Sequence, residues 1–287
     1  YGLNFIEKEV EMLNMNPILL EGKTAIVTGA AGYFGRSFSE CLLLNGSKVV
    51  LFDKDKEVID LAKALKESFG SEMVDYYKVD FYNEENSRKC LTQSVEENVS
   101  VDILVNNAFE FSKNTGFNDP SGKMESISKD QWMRSFESGV YWHATSTQII
   151  AEQMKKQRSG SIINISSMYA IVSPDPGLYK GKKMFNPPSY SASKAALMAY
   201  TRYVASFYGE YGVRCNAILA GAFPHVDFES DSTVDDQEFL KRLENKTVLG
   251  RVGVVNDLIG PLLFLASEAS GYITGQGLSV DGGWTVR

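Results

Sequence analysis

The sequence predicts an α/β domain built as a doubly wound parallel sheet, with seven strands and with helices on both faces. Apolar, β-branched runs alternate with amphipathic helical patterns along the 287 residues. The runs are too uniformly apolar for a sheet with one face in water, so both faces must be covered. Right-handed crossovers between parallel strands then give the strand order 3-2-1-4-5-6-7. Because no stretch resembles a linker, we expect one domain over 1–287.

Each predicted strand except the last is followed by a predicted helix. The predicted strands are residues 24–28, 48–52, 74–79, 101–105, 161–165, 213–219 and 277–280. The predicted helices are residues 37–45, 56–69, 84–98, 129–157, 190–211 and 255–267. Gly46 and Gly70 follow the first two helices, as expected for residues that end a helix.

Two irregular stretches, 169–189 and 220–247, follow the fifth and sixth strands. The first is rich in proline and glycine, and the second is polar and acidic. Because both leave the carboxyl edge of the sheet, where doubly wound sheets bind ligands, we expect them to form the mouth of a substrate site. Lys180, Lys182 and Lys183 are candidates to bind an anionic group there, although a solvated basic loop explains them equally well.

Composition argues against several classes of partner. The formal net charge is −7, with 44% hydrophobic and 23% charged residues. Such a chain lacks the basic face that nucleic acid or an anionic membrane requires. No run approaches the ~18 apolar residues of a transmembrane helix. We therefore expect a small-molecule substrate, with neither nucleic acid nor a membrane as a partner.

Cysteine and histidine usage favours a reducing compartment and predicts no metal site. The three cysteines are scattered and none forms a CxxC motif, so we expect a cytoplasmic protein. His143 and His225 are too few and too far apart for a metal cluster. Residues 1–16 carry glutamates and apolar positions at helical spacing, which predicts an amphipathic helix rather than a signal peptide.

A glycine-rich segment, TGAAGYFG at 28–35, lies between the first strand and the first helix. Glycines let a backbone approach a pyrophosphate, and a helix N-terminus offers free N–H groups and the positive end of its dipole. The alternative is a plain tight turn. The candidate cofactor-binding residues here are Gly29, Gly32, Tyr33, Phe34 and Gly35.

Acidic residues end the second and third strands. Asp53 lies 18 residues beyond Gly35. An acidic side chain at this place accepts hydrogen bonds from both hydroxyls of an adenosine ribose and repels the additional phosphate of NADP. The sequence therefore predicts NAD as the cofactor, unless Asp53 is only a solvated turn residue. Asp80, followed by Phe81, ends the third strand in the same manner and would lie over the adenine.

The segment YSASK at 190–194 places Tyr190 and Lys194 on one face of a helix. A nearby ammonium lowers the pKa of a phenol, which would make Tyr190 a usable acid or base near neutral pH. Tyr179 and Lys183 have the same spacing, but they lie between glycines in a proline-rich loop that disfavours helical geometry. We therefore choose Tyr190.

Together these segments resemble the short-chain dehydrogenase/reductase family, which has a Rossmann-type fold. The resemblance runs from about Gly22 to Gly283 and includes TGAAGYFG, NNA at 106–108, GSIINISS at 160–167, YSASK and YITGQGLSVDGG at 272–283. It implies that Ser167 hydrogen-bonds the reacting oxygen, Tyr190 moves the proton, and Lys194 binds the nicotinamide ribose and tunes Tyr190. The remaining cofactor contacts that it implies are Asn107 and Ala108 in the cofactor channel and the backbone of Ala222 and Phe223 at the carboxamide.

Four features depart from the family pattern. The glycine spacing TGxxGxxG and the separation of 23 residues between Ser167 and Tyr190 resemble the extended, sugar-nucleotide branch, whereas the C-terminal part resembles the short branch. Phe109 replaces the glycine that usually follows NNA, and Gly139 replaces a helix asparagine. We expect a kink or wide turn at 138–140 that lets a backbone carbonyl hold the water bound by that asparagine in the family.

The predicted function is reversible hydride transfer between NAD(H) and a secondary alcohol or ketone of a polar, sugar-like substrate. The insertion and tail are similar to oxidoreductases of bacterial flagellin-modification and sialic-acid-like sugar pathways, which suggests carbohydrate biosynthesis. Two alternatives stay open: a sugar epimerase or dehydratase that retains NAD, and a non-catalytic dinucleotide-sensing protein. The resemblance also implies a homo-oligomer, a dimer or tetramer, through the helices at 129–157 and 190–211.

Overall fold

Seven apolar runs of the chain form one parallel sheet in the order 3-2-1-4-5-6-7, which confirms the predicted topology. The structure is a computed structural model that describes residues 18–182, 185–224 and 237–287. The predicted helix at 1–16, Lys183 and residues 225–236 of the second irregular stretch lie outside the described residues.

The predicted strands are all present, with shifts of one or two residues at some ends. The strands are β1 Thr24–Thr28, β2 Lys48–Asp53, β3 Val74–Lys78, β4 Ile103–Asn106, β5 Gly160–Ser167, β6 Val213–Ala220 and β7 Gly277–Val280. The helices are α1 Tyr33–Leu44, α2 Glu57–Phe69, α3 Glu84–Glu96, α4 Lys129–Phe136, α5 Trp142–Gln157, α6 Pro188–Tyr208, α7 Gln237–Glu244 and α8 Asn256–Ala266. Among the described residues no helix combines the length and apolarity needed to cross a membrane.

Both faces of the sheet are covered by helices, as the uniformly apolar strands predict. Successive residues of β1 alternate between two cores: Ala25 and Val27 pack with Phe38 of α1, whereas Ile26 packs with Ile150 of α5. All of these side chains are inaccessible to solvent. The alternation leaves the two edges formed by the strand ends as the places where polar side chains can gather.

The structure corrects three of the predicted elements. Helix α1 begins at Tyr33, directly after the glycine-rich turn, and not at residue 37. The predicted helix 129–157 is interrupted by a wide π-helical turn, Glu137–Tyr141, between α4 and α5. Helix α7 lies in the stretch 220–247, which we expected to be irregular; its Phe239 and Leu243 are buried.

The carboxyl ends of the strands place the candidate site residues along one edge. Asp53 ends β2 and Ser167 ends β5, and β1 and β4 lie between these two strands. Three inter-strand spacings separate their ends by about 14 Å. This distance suits an extended dinucleotide that lies across the edge, with its adenosine over β2 and its nicotinamide near β5.

Gly35 fixes the start of α1 against the preceding turn. A Cβ on Gly35 would overlap the Gly29 carbonyl oxygen and lie 2.7 Å from the Ala30 Cα, and backbone atoms cannot yield easily. We predict that Gly35→Ala lowers the free energy of unfolding by about 1–3 kcal/mol, as for overpacked cores. Urea denaturation monitored by circular dichroism measures the change.

Gly209 provides the matched control for this substitution. It has helical dihedral angles at the end of α6, and a Cβ there would meet nothing within 4 Å. Gly209→Ala should raise the free energy of unfolding by roughly 0.4–1 kcal/mol, because alanine restricts the unfolded chain. Equal effects of the two substitutions would contradict the assigned role of Gly35.

Candidate active site

A cavity of about 980 Å³ opens at the carboxyl edge of the sheet, where the turns after β1, β2, β4, β5 and β6 meet. It brings together nearly all of the residues predicted from sequence. The predicted residues that line it are Gly29, Gly32, Tyr33, Phe34, Asp53, Asp80, Phe81, Asn107, Ala108, Ser167, Tyr190, Lys194, Ala222 and Phe223. Gly35 does not line it, because this glycine packs inward against the turn.

The glycine-rich turn forms a cradle that suits a dinucleotide pyrophosphate. Gly29 has a φ of +64°, and a Cβ there would lie 2.9 Å from the Ala108 Cα, so only glycine permits this turn so close to β4. Gly32 lines the cavity, and a Cβ on it would contact only the Gly29 carbonyl. No side chain caps the N-terminus of α1 at Gly32. The space and the free N–H groups therefore fit the pyrophosphate of NAD or NADP.

Asp53 is held at the end of β2 by backbone groups. Its carboxylate accepts hydrogen bonds from the N–H of Ala31 at 2.8 Å and of Asp55 at 3.0 Å. Burial raises the pKa of Asp53, while these two hydrogen bonds lower it in part. The bond from Ala31 ties the carboxylate to the glycine-rich turn, which fixes its position relative to a bound adenosine ribose.

Asn107 has a structural role in addition to the predicted place in the cofactor channel. Its side-chain amide donates to the carbonyl of Gly29 at 2.9 Å and to that of Thr28 at 3.2 Å. Its backbone N–H donates to the Thr28 hydroxyl at 3.0 Å. These bonds connect the end of β4 to the glycine-rich turn, so Asn107 helps to fix the shape of the predicted pyrophosphate site.

Ser167, Tyr190 and Lys194 come together at the other end of the cavity. Ser167 is the last residue of β5, and Tyr190 lies in the first turn of α6, with Lys194 one turn further along the helix. The Ser167 hydroxyl lies near the Tyr190 phenol, whose pKa it lowers, and it accepts a hydrogen bond from the N–H of Tyr169 at 3.2 Å. The Lys194 ammonium donates to the Ile165 carbonyl of β5 at 2.9 Å. All three side chains are buried and line the cavity.

The electrostatics of the pair differ from the sequence-based expectation. Burial raises the pKa of Tyr190 to about 12, and the nearby Ser167 hydroxyl only partly opposes this shift. Burial lowers the pKa of Lys194 to about 7, because no carboxylate of the described residues compensates its charge. The expectation that Lys194 lowers the phenol pKa is therefore wrong in this structure: desolvation outweighs the attraction between the two groups.

The second tyrosine with the same spacing, Tyr179, does not lie in an α-helix. Tyr179 ends a short 3₁₀ helix, Pro176–Tyr179, and Lys180 is already extended. The Tyr179 hydroxyl is engaged by the Asn186 amide at 2.5 Å and lies 3.3 Å from the Tyr169 hydroxyl. Tyr179 lines the cavity, but Lys183 lies outside the described residues. These contacts support the choice of Tyr190.

Gly139 lies within the π-helical turn Glu137–Tyr141, which confirms the wide turn predicted there. The reason for the glycine is steric: a Cβ would lie 2.8 Å from the Ser193 Oγ and 3.2 Å from the Phe109 ring. The acceptor of the Lys194 ammonium is the Ile165 carbonyl and not a carbonyl of this turn, as far as the described residues show. Gly139 thus allows close packing and is not seen to serve Lys194.

Both irregular stretches contribute to the cavity, but Lys180 and Lys182, the two predicted lysines that the structure describes, do not. Lys182 pairs with Glu238 of α7 at 2.8 Å, and neither Lys180 nor Lys182 lines the cavity. The ion pair fastens the first stretch to α7, which explains why this lysine turns away from the site. For these two residues the prediction of an anion site is wrong.

Sequence reasoning missed an aromatic part of the cavity wall. Helix α7 and the segment after β4 supply most of it, and the only signal in the sequence was the run Phe109–Glu110–Phe111 after NNA. The additional aromatic lining residues are Phe109, Phe111, Phe117, Trp142, Tyr169, Phe185 and Phe239. Glu110 is buried among them and is engaged by Tyr82, Ser112 and Asn114.

Comparison with known proteins agrees with this fold. A family model described as enoyl-(acyl carrier protein) reductase matches residues 29–285. The chain is 34% identical to an L-rhamnose-1-dehydrogenase of Scheffersomyces stipitis, over 94% of this chain and 98% of that protein. It is 31% identical to a 2-dehydro-3-deoxy-D-gluconate 5-dehydrogenase of Escherichia coli, over 93% and 97% of the two chains.

The fold is also similar to that of a solved structure. The gluconate 5-dehydrogenase of Burkholderia cenocepacia, in complex with NADP and tartrate, superposes with a TM-score of 0.79 at 26% identity, over 95% of this chain and 98% of that one. The chain belongs to the short-chain dehydrogenase/reductase family, and it is an NAD(P)-dependent oxidoreductase.

The geometry predicts unequal roles for Tyr190 and Tyr179, the two tyrosines of the cavity that precede a lysine by four residues. Tyr190→Phe removes the hydroxyl that contacts Ser167 and should lower kcat by roughly 10²–10⁴, the usual contribution of general acid–base catalysis. The dissociation constant for NADH should stay within a few-fold. Initial rates and NADH fluorescence titration measure the two effects.

Tyr179→Phe is the matched control, because it is the same substitution and removes one hydroxyl from the same cavity. It should retain most of the turnover. An inactive Tyr179 variant beside an active Tyr190 variant would show that Tyr179, and not Tyr190, transfers the proton.

Proposed function

We propose that this chain is an NAD(H)-dependent dehydrogenase that oxidises a secondary alcohol of a sugar-like ring, or reduces the corresponding ketone. The observation that carries the proposal is the single cavity shared by the glycine-rich turn and by Ser167, Tyr190 and Lys194. Of the two sequence relatives described above, one is named for a neutral sugar and the other for a sugar acid, and both names support a sugar-like substrate. The buried trio favours an enzyme over the dinucleotide-sensing protein that the sequence left open.

In this proposal a bound nicotinamide would supply the hydride chemistry at the carbon that carries the hydroxyl or the keto oxygen. Tyr190 takes the hydroxyl proton during oxidation and gives it back during reduction, so that proton and hydride balance the alcohol and the ketone. Ser167 holds the reacting oxygen beside the Tyr190 phenol. Lys194, whose ammonium lies 5.8 Å from the centre of the Tyr190 ring, would bind the nicotinamide ribose, as the family resemblance implies.

We propose NAD over NADP because of Asp53. Its carboxylate lines the cavity and is fixed by the Ala31 N–H at the end of β2. A carboxylate at this place would accept ribose hydroxyls and would repel a 2′-phosphate. Lys54 also lines the cavity and would oppose this preference in part.

We further propose a cytoplasmic homo-oligomer, a dimer or a tetramer. Tyr203 and Phe207 on α6 support an interface, because their rings stack at 6.1 Å while both side chains are more than half exposed. Exposed aromatic pairs of this kind are enriched where subunits meet. The scattered, free cysteines favour the cytoplasm.

The cofactor preference is tested through Asp53. Wild-type protein should bind NADH at least about tenfold more tightly than NADPH, and Asp53→Ser should remove most of this ratio, because the repulsion of the 2′-phosphate is lost. Both dissociation constants are measured by fluorescence titration at one ionic strength.

Asp55→Asn is the control for the loss of one negative charge in the cavity, since Asp55 also lines it and its backbone N–H still donates to Asp53. This variant should keep the preference. Tighter binding of NADPH than of NADH by the wild type would contradict the role given to Asp53.

A further inference from the structure

Three phenylalanines form a continuous aromatic wall beside Tyr190. The ring centroids of Phe109 and Phe117 lie 5.3 Å and 4.9 Å from that of Tyr190, both edge-on. Phe111 lies 4.7 Å from Phe109 and 5.0 Å from Phe117, and it completes the wall. All four rings line the cavity. We name Phe109, Phe111 and Phe117 the phenylalanine wall.

Phe111 is unusual because it is 65% exposed although its ring packs against the wall. An aromatic side chain exposed at the mouth of a cavity costs hydration free energy unless a ligand covers it. Its edge-on contacts fix the ring without burying it. The wall is therefore a rigid, apolar surface that ends next to the Tyr190 and Ser167 hydroxyls.

Further aromatic residues line the same cavity. Tyr169 and Phe239 are buried, and the ring centroids of Tyr179 and Phe239 lie 5.8 Å apart. The Tyr179 hydroxyl and the Asn186 amide add uncharged polar groups, and the carboxylate of Glu110 lies next to the wall in the sequence. A ligand at this end of the cavity therefore meets apolar rings and hydrogen-bonding groups.

Of the two cations that line the described part of the cavity, one lies far from the substrate end and the other is bound to a backbone carbonyl. Of the described residues, Lys54 and Lys194 are the cations that line it. Lys54 follows Asp53 at the adenosine end, about 14 Å across the sheet from Ser167. The Lys194 ammonium lies beneath Tyr190, bound to the Ile165 carbonyl and 4.9 Å from the centre of the Phe109 ring.

Two further cations on the adjoining elements are engaged outside the cavity. Arg242 of α7 donates to the carbonyls of Leu178 and Lys180 and pairs with Glu238. Lys182 pairs with the same glutamate. Both side chains hold α7 to the first irregular stretch. A carboxylate or phosphate at the substrate end would lack a partner among the described residues, and a buried unpaired charge is costly.

We propose that the substrate is an uncharged saturated ring that lays an apolar C–H face against the phenylalanine wall, and that sugar acids and sugar phosphates are excluded. This inference rests on the proposed function and narrows its substrate class. Six-membered rings with few hydroxyls on one face, such as 6-deoxyhexoses and alicyclic alcohols, share the required chemistry. The reacting hydroxyl then reaches Ser167 and Tyr190 at the end of the wall.

The test compares matched neutral and anionic rings: cyclohexanol with 4-hydroxycyclohexanecarboxylate, and L-rhamnose with D-glucose 6-phosphate. Isothermal titration calorimetry with NADH-saturated protein gives dissociation constants, and initial rates give kcat and KM where turnover occurs. The neutral member should bind at least about tenfold more tightly in each pair, since the anion loses its hydration without gaining a partner. The first pair and L-rhamnose separate alicyclic from deoxy-sugar substrates.

Variants of the exposed ring locate the effect. Phe111→Ala should weaken binding of the preferred neutral ring about tenfold and leave kcat within about twofold, because the wall binds ground state and transition state alike. Phe111→Lys should reverse the preference in favour of the anionic member. Tyr76→Ala, an exposed aromatic of β3 that does not line the cavity, should change neither value.

Three results would overturn the inference. They are tighter binding of the anionic members, no binding of any neutral ring at roughly 50 mM, the range of a very weak site, and an unchanged dissociation constant in Phe111→Ala. The proposed function fails in a different way. In that case NADH binds and neutral rings bind, but no member of either pair is turned over and Tyr190→Phe changes nothing.

Discussion

The burial of the Lys194 ammonium is the constraint on which the rest of the site depends. A charged group inside a protein requires polar partners or a polarizable surface. Lys194 has the Ile165 carbonyl at 2.9 Å and the faces of Phe109 and Tyr190 within 6 Å. These contacts require the end of β5, the start of α6 and the segment after β4 to meet at one point. The same three elements define the substrate end of the cavity.

Phe109 and Gly139 are best understood as a pair. The family pattern has a glycine at the position of Phe109 and an asparagine at the position of Gly139. In this chain the larger side chain is therefore at 109 and the glycine at 139. A Cβ on Gly139 would lie 3.2 Å from the Phe109 ring, so the ring occupies space that a side chain at 139 would need. The wide turn Glu137–Tyr141 accommodates this packing. The exchange replaces a polar group near Lys194 by an aromatic face, and it begins the phenylalanine wall.

The sequence predicted the sheet order and most of the cavity, because periodicity and strand ends are local properties. Asp53 and Ser167 could be placed at one edge from the strand pattern alone. The pKa directions of Tyr190 and Lys194 could not, since they depend on the burial produced by elements distant in sequence. The ion pair of Lys182 could not be predicted either, because its partner Glu238 lies 56 residues away. Glu238 is in helix α7, which the polar sequence around it did not indicate. The wall was missed because Phe117 joins it only through the fold.

The most direct measurement of the central claim is the titration of Lys194 itself, in protein stripped of dinucleotide. Lysine labelled with ¹³C at Cε gives a signal for each residue, and the one absent from a Lys194→Met variant belongs to Lys194. Because burial lowers the pKa of Lys194 to about 7, the midpoint should lie near pH 7. The unfolded chain still binds this proton up to about pH 10.5, so the wild type should gain stability relative to the Met variant as the pH rises between these values. A midpoint near 10.5, with no such gain, would contradict the account.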